Sequence, residues 1–162
     1  MRIALVSDTH DDLRALNRAL DVLQAEEIDV LLHCGDLCGP AVIEALSAFD
    51  TWIARGNMDR HPELAPTARE LMGPGRLADR HRLSLGGRST TLVHGHREAE
   101  LRRLIASGER AYVFHGHTHR RRDERIGPTR VINPGALGGM PWQRRSFCIL
   151  DLTTDEATFF EV

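Results

Sequence analysis

The sequence predicts an α/β fold in which two packed, mixed β-sheets are flanked by helices. In the first half of the chain, short apolar segments alternate with segments of helical periodicity, a pattern typical of parallel strands connected by helices. In the second half, strand-like segments are separated by Gly, Pro and Asp turns, which indicate a second sheet. At 162 residues the chain is expected to form one domain, spanning 1–162, with a sizeable core.

The first half is predicted to contain three strand and helix units. Its elements are, in order, strand 2–7, helix 11–27, strand 29–36, helix 40–49, strand 51–57 and a surface helix with a loop over 61–76. Leu13, Leu16 and Leu20 recur at helical spacing in the first helix, and Pro40 suits the first turn of the second. The alternation favours parallel pairing of the three strands.

The second half is predicted to begin with a hairpin over 80–96, closed by Gly86-Gly87, a dipeptide suited to a tight turn. A helix over 97–107 follows, and Gly108 is its expected cap. The remaining strand-like segments cover 111–116, 121–127, 129–135, 144–153 and 156–162.

Composition excludes several classes of protein. Hydrophobic residues make up 41% and charged residues 27% of the chain, and no apolar run approaches the roughly 20 residues that cross a bilayer. The start resembles no cleavable signal sequence, so we expect a cytoplasmic protein. Three cysteines form no disulfide framework, and Cys34 with Cys38 lacks the second thiol pair of a thiolate metal site. A net charge of −2 argues against stable nucleic-acid binding.

Polar side chains follow the predicted strands at the point where each strand ends. They are Asp8, His10, Asp36, Asn57, His94, His96, His117 and His119. Because the carboxyl ends of strands in an open α/β sheet face one crevice, these scattered residues are expected to converge. Carboxylate, amide and imidazole ligands suit Mn, Fe, Zn or Ni better than Ca, and one shared carboxylate would let seven of these side chains hold two ions.

Five ordered motifs carry a family resemblance. They are Asp8-Thr9-His10, Gly35-Asp36, Gly56-Asn57, His94-Gly95-His96 and Gly116-His117-Thr118-His119. Their order resembles that of the calcineurin-like metallophosphoesterases, and the compact bacterial and archaeal phosphodiesterase branch is closest in size. The resemblance runs from residue 3 to about residue 135. It implies a four-layer α/β/β/α sandwich.

The resemblance also implies a ligand set. Asp8, His10, Asp36 and His119 would bind one ion, and Asp36 would bridge to a second ion held by Asn57, His94 and His117. Two ions about 3.5–4 Å apart lower the pKa of a bridging water, so hydroxide could attack the phosphorus of a small phosphodiester or nucleotide-type substrate. Mn is the first expectation for both ions, with Fe, Zn, Ni or Mg as alternatives.

One position departs from the family. Where many members have Gly-Asn-His followed by an acid, this chain has Gly56-Asn57-Met58-Asp59. Met58 cannot donate a proton, so activated diesters are expected to be cut better than alkyl ones. The expected catalytic groups are Asp36, Asn57, His96 and Asp59, with His61 or His96 as a substitute for the missing histidine. His33 and His115 are interpreted as core or supporting histidines.

Several alternatives stay open at the level of sequence. The same fold serves the retromer complex as an interaction scaffold, and a phosphomonoesterase or a nuclease would use similar chemistry. The arginines at 120–122 and 125 could line the pocket mouth or form a solvated strand. Trp142 and Phe159 could form the face of a homo-oligomer or pack the second sheet.

Overall fold

The computed structural model describes residues 1–140 and 142–162. Its elements, in chain order, are β1 (Arg2–Val6), α1 (Leu13–Ala25), β2 (Val30–His33), α2 (Pro40–Leu46), β3 (Thr51–Ala54), α3 (Leu64–Met72), β4 (Leu77–Ala78), β5 (Arg80–Leu85), β6 (Arg88–Val93), α4 (Glu98–Ala106), β7 (Tyr112–Phe114), β8 (Arg122–Ile126), β9 (Thr129–Asn133), β10 (Ser146–Asp151) and β11 (Glu156–Glu161). None of the helices in this described part of the chain is long and apolar enough to cross a membrane.

The strands form two mixed sheets, as the sequence predicts. The first has six strands in the order β11-β10-β1-β2-β3-β4, and the second has five in the order β5-β6-β7-β9-β8. Strands β1 to β4 pair in parallel, whereas β10 is antiparallel to β1. In the second sheet, β6, β7 and β9 are parallel, and the edge strands β5 and β8 are antiparallel to their neighbours.

The alternating side chains of β1 show how the layers of the fold are arranged. Ile3 and Leu5 face an apolar cluster between the sheets, together with Phe114 of the second sheet. Ala4 and Val6 point the other way and pack with buried residues of α1, α2 and α3. On the far side of the second sheet, α4 packs through Leu101 and Ile105 against Val113 and Val131. The order is therefore α/β/β/α.

The predicted turns at Gly86-Gly87 and Gly108 are present. Gly86 and Gly87 have φ of 53° and 75°, the left-handed backbone that a two-residue hairpin turn of this kind requires. Gly108, with φ of 65°, follows the cap of α4. Phe159 packs against the cluster between the sheets, whereas Trp142 is 79% exposed.

The elements that lead into the predicted site are shorter than expected. The strand predicted over 29–36 ends at His33, and the strand predicted over 51–57 ends at Ala54. Helix α1 begins at Leu13 because Asp11 has a left-handed φ of 58° and the Asp12 side chain caps the helix by accepting from the Ala15 N–H. Irregular backbone thus takes over where the candidate site residues begin.

Candidate metal centre

The strand ends of both sheets meet at one place. Asp8 and His10 follow β1, Asp36 follows β2 and Asn57 follows β3, while the paired histidine segments follow β6 and β7 of the second sheet. A direct link joins the sheets: the His117 N–H donates to Asp8 Oδ2 over 3.0 Å. Residues that are spread over more than 100 positions of the sequence therefore surround one crevice.

Asp8, His10 and His119 form a first group whose ligand atoms lie within 4.8 Å of one another. His119 Nε2 lies 3.3 Å from Asp8 Oδ1 and 3.2 Å from His10 Nε2. His10 Nε2 lies 4.0 Å from the same Asp8 oxygen. Two imidazole nitrogens and one carboxylate oxygen therefore face a common point.

Asp36, His94 and His117 form a second group of the same size. His94 Nε2 lies 3.4 Å from Asp36 Oδ2 and 3.1 Å from Asn57 Oδ1, and the rings of His94 and His117 are 5.1 Å apart. This group has one carboxylate, one amide oxygen and two imidazoles.

Asp36 lies between the two groups. Its Oδ2 is 3.4 Å from His94 Nε2 and 3.8 Å from His10 Nε2, while its Oδ1 accepts the Met58 N–H over 2.9 Å. The backbone hydrogen bond prevents the carboxylate from rotating. One oxygen is therefore held toward both groups.

The hydrogen bonds made by Nδ1 of His94 and of His119 determine which nitrogen of each ring faces the centre. His94 Nδ1 lies 2.8 Å from the Cys34 carbonyl, and His119 Nδ1 lies 3.1 Å from Gln143 Oε1. Both partners can only accept, so each Nδ1 carries the proton and each Nε2 presents a lone pair to the centre. In each of these two rings, the Nε2 lone pair then faces the carboxylate of its own group, an arrangement that a cation satisfies.

Asp8 offers a second test of fit to a cation. Its Oδ2 accepts from the Ser7 hydroxyl over 2.6 Å and from the His117 N–H. Its Oδ1 is buried and has no hydrogen-bond partner among the described residues. A buried carboxylate oxygen without a donor is costly unless a positive charge is supplied. The residues present therefore fit divalent ions.

The backbone is strained at these same positions. Five of the seven predicted ligands have left-handed φ values between 46° and 67°, namely Asp8, His10, Asp36, His117 and His119. Residues other than glycine seldom adopt this conformation, and it persists where surrounding structure imposes it, often at functional sites. Gly56 and Gly116 leave the room this requires, because a Cβ at either would collide with the Asp36 side chain or with Ser7 and Asp8.

The clustered carboxylates shift the pKa values of their neighbours. The Asp8 carboxylate, which would accept a hydrogen bond from the protonated ring, raises the pKa of His119 despite an opposing effect of burial. Burial lowers the pKa of His94, but the hydrogen bond to Asp36, the charges of Asp8 and Asp36 and the Cys34 carbonyl together outweigh it, so the net shift is upward. The centre attracts positive charge, which a proton supplies when no metal ion is bound.

Asp59, expected to be a catalytic group, is placed to support the site instead. Its Oδ2 accepts the N–H groups of Asp36 and Gly56 over 2.9 and 2.7 Å. Its Oδ1 accepts those of Leu37 and Cys38 over 2.6 and 2.9 Å. With both oxygens occupied and only 5% of the residue exposed, Asp59 ties the loop after β2 to the loop after β3.

His96, of the two candidate substitutes for the missing histidine, lies beside the centre. Its ring is 5.4 Å from that of His94 and 6.3 Å from that of His117. His61 is exposed, and its Nδ1 accepts the Glu63 N–H, a local contact in its own loop. The geometry brings His96 to the site and does not bring His61 there.

The remaining histidines support the structure. His33 Nδ1 accepts the Gly35 N–H, so Nε2 donates to Thr9 Oγ1 over 2.8 Å, and burial lowers the pKa of His33 to about 4. Burial also lowers the pKa of His115 to about 4, and its Nδ1 donates to the Gly116 carbonyl. Sequence reasoning missed Gln143, because no local pattern links it to His119, 24 positions away.

Two openings flank the centre. A cleft of about 220 Å³ borders His94 and His96, and a groove of about 560 Å³ borders His119, Arg120 and Arg121. Arg122 instead pairs with Glu124, and Arg125 with Asp155. Part of the arginine run therefore lines the site opening, and the rest forms ion pairs along the edge strand β8.

A two-sheet α/β sandwich with two candidate metal-ligand groups at its strand ends indicates a metal-binding protein, and comparison with known proteins identifies its family. Residues 1–155 match the model of the calcineurin-like phosphoesterase superfamily domain. The chain belongs to this family, as its motifs predict.

Individual relatives agree with this assignment. Phosphodiesterase MJ0936 of Methanocaldococcus jannaschii is 30% identical over 142 residues, which cover 86% of each chain. A solved archaeal phosphodiesterase superimposes with a TM-score of 0.90 at 28% identity over 100% of both chains. Vps29 of Entamoeba histolytica, solved with Zn²⁺, has a TM-score of 0.70 at 23% identity, covers 99% of this chain and 91% of its own, and shares the fold.

Proposed function

We propose that this chain, as a single domain spanning 1–162, is a cytoplasmic two-metal phosphodiesterase that hydrolyses a small phosphodiester. The main support for this proposal is the position of Asp36 Oδ2, which lies within 3.8 Å of an imidazole Nε2 from each ligand group. Asp8, His10, Asp36 and His119 would hold one ion, and Asp36, Asn57, His94 and His117 would hold the other. Mn²⁺ is the first choice for both, because mixed oxygen and nitrogen ligands suit it and related metals.

The protein groups prepare the centre for this chemistry. When bound, two divalent ions lower the pKa of a shared water and offset the charge of the phosphoryl oxygens. The Met58 N–H fixes the orientation of Asp36, although the Met58 side chain donates no proton. The Cys34 carbonyl and Gln143 fix the tautomers of His94 and His119. Asp59 positions Asp36 and Gly56 through backbone hydrogen bonds.

We assign to His96 the role of donating a hydrogen bond to the leaving oxygen of the substrate. Its Nδ1 is buried without a partner among the described residues, so Nε2 is the nitrogen that remains for substrate. Burial lowers the pKa of His96, and the neighbouring His94 and Arg97 lower it further, which favours the neutral ring. A neutral imidazole N–H stabilises a leaving oxyanion by hydrogen bonding, and this matters most for poor leaving groups.

The main test compares an aryl phosphodiester with the matching aryl monoester. Metal-stripped protein is titrated with Mn²⁺, and Asp36→Asn is compared with Asp21→Asn, which removes one carboxylate from the exposed face of α1. We expect metal-dependent hydrolysis that favours the diester, survives in Asp21→Asn and is lost in Asp36→Asn. Metal binding without cleavage of either compound would favour the scaffold function, and preference for the monoester would favour a phosphomonoesterase.

A second test concerns His96. Replacing His96 with Ala is expected to reduce kcat more for an alkyl diester than for a nitrophenyl diester, whereas His61→Ala should leave both unchanged. Equal losses for the two diesters in the His96 variant would show that the ring does not act on the leaving group.

A nuclease and a self-associating protein are further alternatives that experiment can separate. The net charge of −2 leaves little attraction for polynucleotides in general. Sedimentation of the intact protein would show whether the exposed Trp142 lies at a contact between copies.

A further inference from the structure

The groove beside His119 adjoins the candidate metal centre, because His119 belongs to both. It is lined by Thr118, His119, Arg120, Arg121, Gln143 and Arg144. His119 thus borders the groove, and its Nε2 faces Asp8. At about 560 Å³ the groove is within the size range of small-molecule sites. A substrate whose phosphoryl group reaches the centre can therefore extend one substituent into it.

The groove carries an excess of positive charge. Arg121 and Arg144 share one carboxylate, that of Glu161, at 2.9 and 3.3 Å. Arg120 is exposed and makes no ion pair within the described residues, so three guanidinium groups face a single acid.

The cleft on the opposite side of the centre is balanced in charge. There Arg80 pairs with Glu100 at 3.0 Å and Arg97 with Asp79 at 3.4 Å. Leu101 and Leu104 add an apolar wall. The two substituents of a bound phosphodiester would therefore meet surfaces of different chemistry, one neutral and partly apolar, the other cationic.

Arg120 projects from a turn that the fold holds in place. The Thr118 hydroxyl oxygen accepts from Asn133 Nδ2 over 3.1 Å and from the Arg120 N–H over 3.4 Å. Asn133 is fully buried at the end of β9 and also donates to the Gly116 carbonyl over 2.8 Å. The base of Arg120 is thus fixed relative to His119, and its free guanidinium can present two N–H groups to one phosphate.

We propose that this groove binds a second phosphate of the substrate, so that the diester joins a neutral, partly apolar group to a group that bears its own phosphate. This inference rests on the proposed function for the position of the scissile phosphoryl group. A nucleotide-type diester with a further phosphate on one sugar has the required chemistry.

The deciding measurement is binding, so that it does not depend on turnover. Thymidine 3′,5′-bisphosphate and thymidine 5′-monophosphate, neither of which contains a phosphodiester, are titrated calorimetrically into Mn²⁺-loaded protein at low salt. One charge-assisted contact is worth about tenfold in affinity, so we expect the bisphosphate to bind about tenfold more tightly and the advantage to shrink as salt is added.

Two arginine variants make the test specific. Arg120→Gln is expected to remove most of the bisphosphate advantage, whereas Arg102→Gln is expected to keep it. Arg102 is an exposed arginine on α4 whose ion-pair partner among the described residues is Glu98, and the two variants lose the same charge. Equal affinities for the two ligands in the parent protein, or equal losses in the two variants, would overturn the proposal. Tighter Arg120-dependent binding of a single-stranded oligonucleotide than of the bisphosphate would also overturn it in favour of a polynucleotide.

A hydrolysis arm separates this inference from the proposed function. Thymidine 5′-(4-nitrophenyl phosphate) is compared with the same compound carrying a 3′-phosphate. Cleavage of both with equal kcat/KM would reject the subsite and keep the phosphodiesterase. A bisphosphate advantage in binding without cleavage of either compound would keep the subsite and reject the phosphodiesterase.

Discussion

Asp59 is the residue whose replacement most directly tests how the centre is supported. Its two oxygens accept four backbone N–H groups, those of Asp36, Leu37, Cys38 and Gly56. An Asn at this position keeps one oxygen, which can satisfy two of the four donors. The amide NH₂ then faces the other two, which lose their acceptor in a buried place.

The expected loss of stability follows from the two backbone donors that are left without an acceptor. A buried donor left without a partner costs about 1–3 kcal/mol, so two such donors destabilise the fold by about 2–6 kcal/mol. In a domain of this size each kcal/mol lowers Tm by about 2–4 °C, and we therefore expect Asp59→Asn to melt on the order of 10 °C below the parent. The N–H of Asp36 itself is among the four, so metal affinity should fall about 10- to 100-fold.

Calorimetry with and without Mn²⁺ measures both quantities. Asp21→Asn serves as the control, because it removes the same charge from an exposed helical position. An Asp59→Asn protein that melts within about 2 °C of the parent would show that the four hydrogen bonds carry little free energy. A large loss of stability with unchanged metal affinity would show that the loops do not position Asp36.

Three further predictions test other parts of the structure. Burial lowers the pKa of His33 to about 4, so the unfolded chain binds more protons between pH 4 and 6.5, and the stability from His33 should be lost as pH falls through that window. Melting curves of the parent should show this loss, and those of His33→Gln should show a smaller one, because His115 still titrates in the same window. The Asp8 carboxylate stabilises the protonated ring of His119 and raises its pKa, so metal binding should release protons and weaken as pH falls; calorimetry in buffers of different ionisation enthalpy would show no difference if this is wrong. Arg130 is largely buried and pairs at 2.8 Å with Asp123 and Asp155, whose side chains are 30% and 23% exposed, so Arg130→Met should cost about 1–3 kcal/mol while leaving metal affinity intact.

The fold could be predicted from sequence because its strands are marked by apolar runs and its turns by glycines. Gly86 and Gly87 lie at a hairpin turn, and the strands of the first half pair in parallel as their alternation with helices indicates. Strand β4 was not predicted, because two residues are too short to show any period. The predicted ends of β2 and β3 extend too far, because the glycine and polar residues after His33 and Ala54 are counted as strand although the chain leaves the sheet there.

The candidate site, like the fold, could be predicted from sequence only in part. The potential ligands could be predicted because their residue types and order carry the family resemblance. The supporting contacts could not, because they depend on backbone atoms from distant loops. Asp59 lies in the sequence beside the missing histidine, yet three of its four partners are N–H groups more than 20 positions earlier. Gln143 and Ser7 orient His119 and Asp8 without any motif of their own.

Backbone strain bears on the choice between an enzyme and an interaction scaffold. Asp8, His10, Asp36, His117 and His119 all have left-handed φ, each at a cost on the order of 1 kcal/mol, and Asp8 Oδ1 is buried without a donor among the described residues. Partner binding elsewhere on the surface would recover none of this cost, because it makes no contact with these atoms. Cations bound at the centre would recover it, since ions that bind only the folded chain raise its free energy of unfolding. Much of this backbone strain therefore lies at the residues whose side chains a pair of ions would contact.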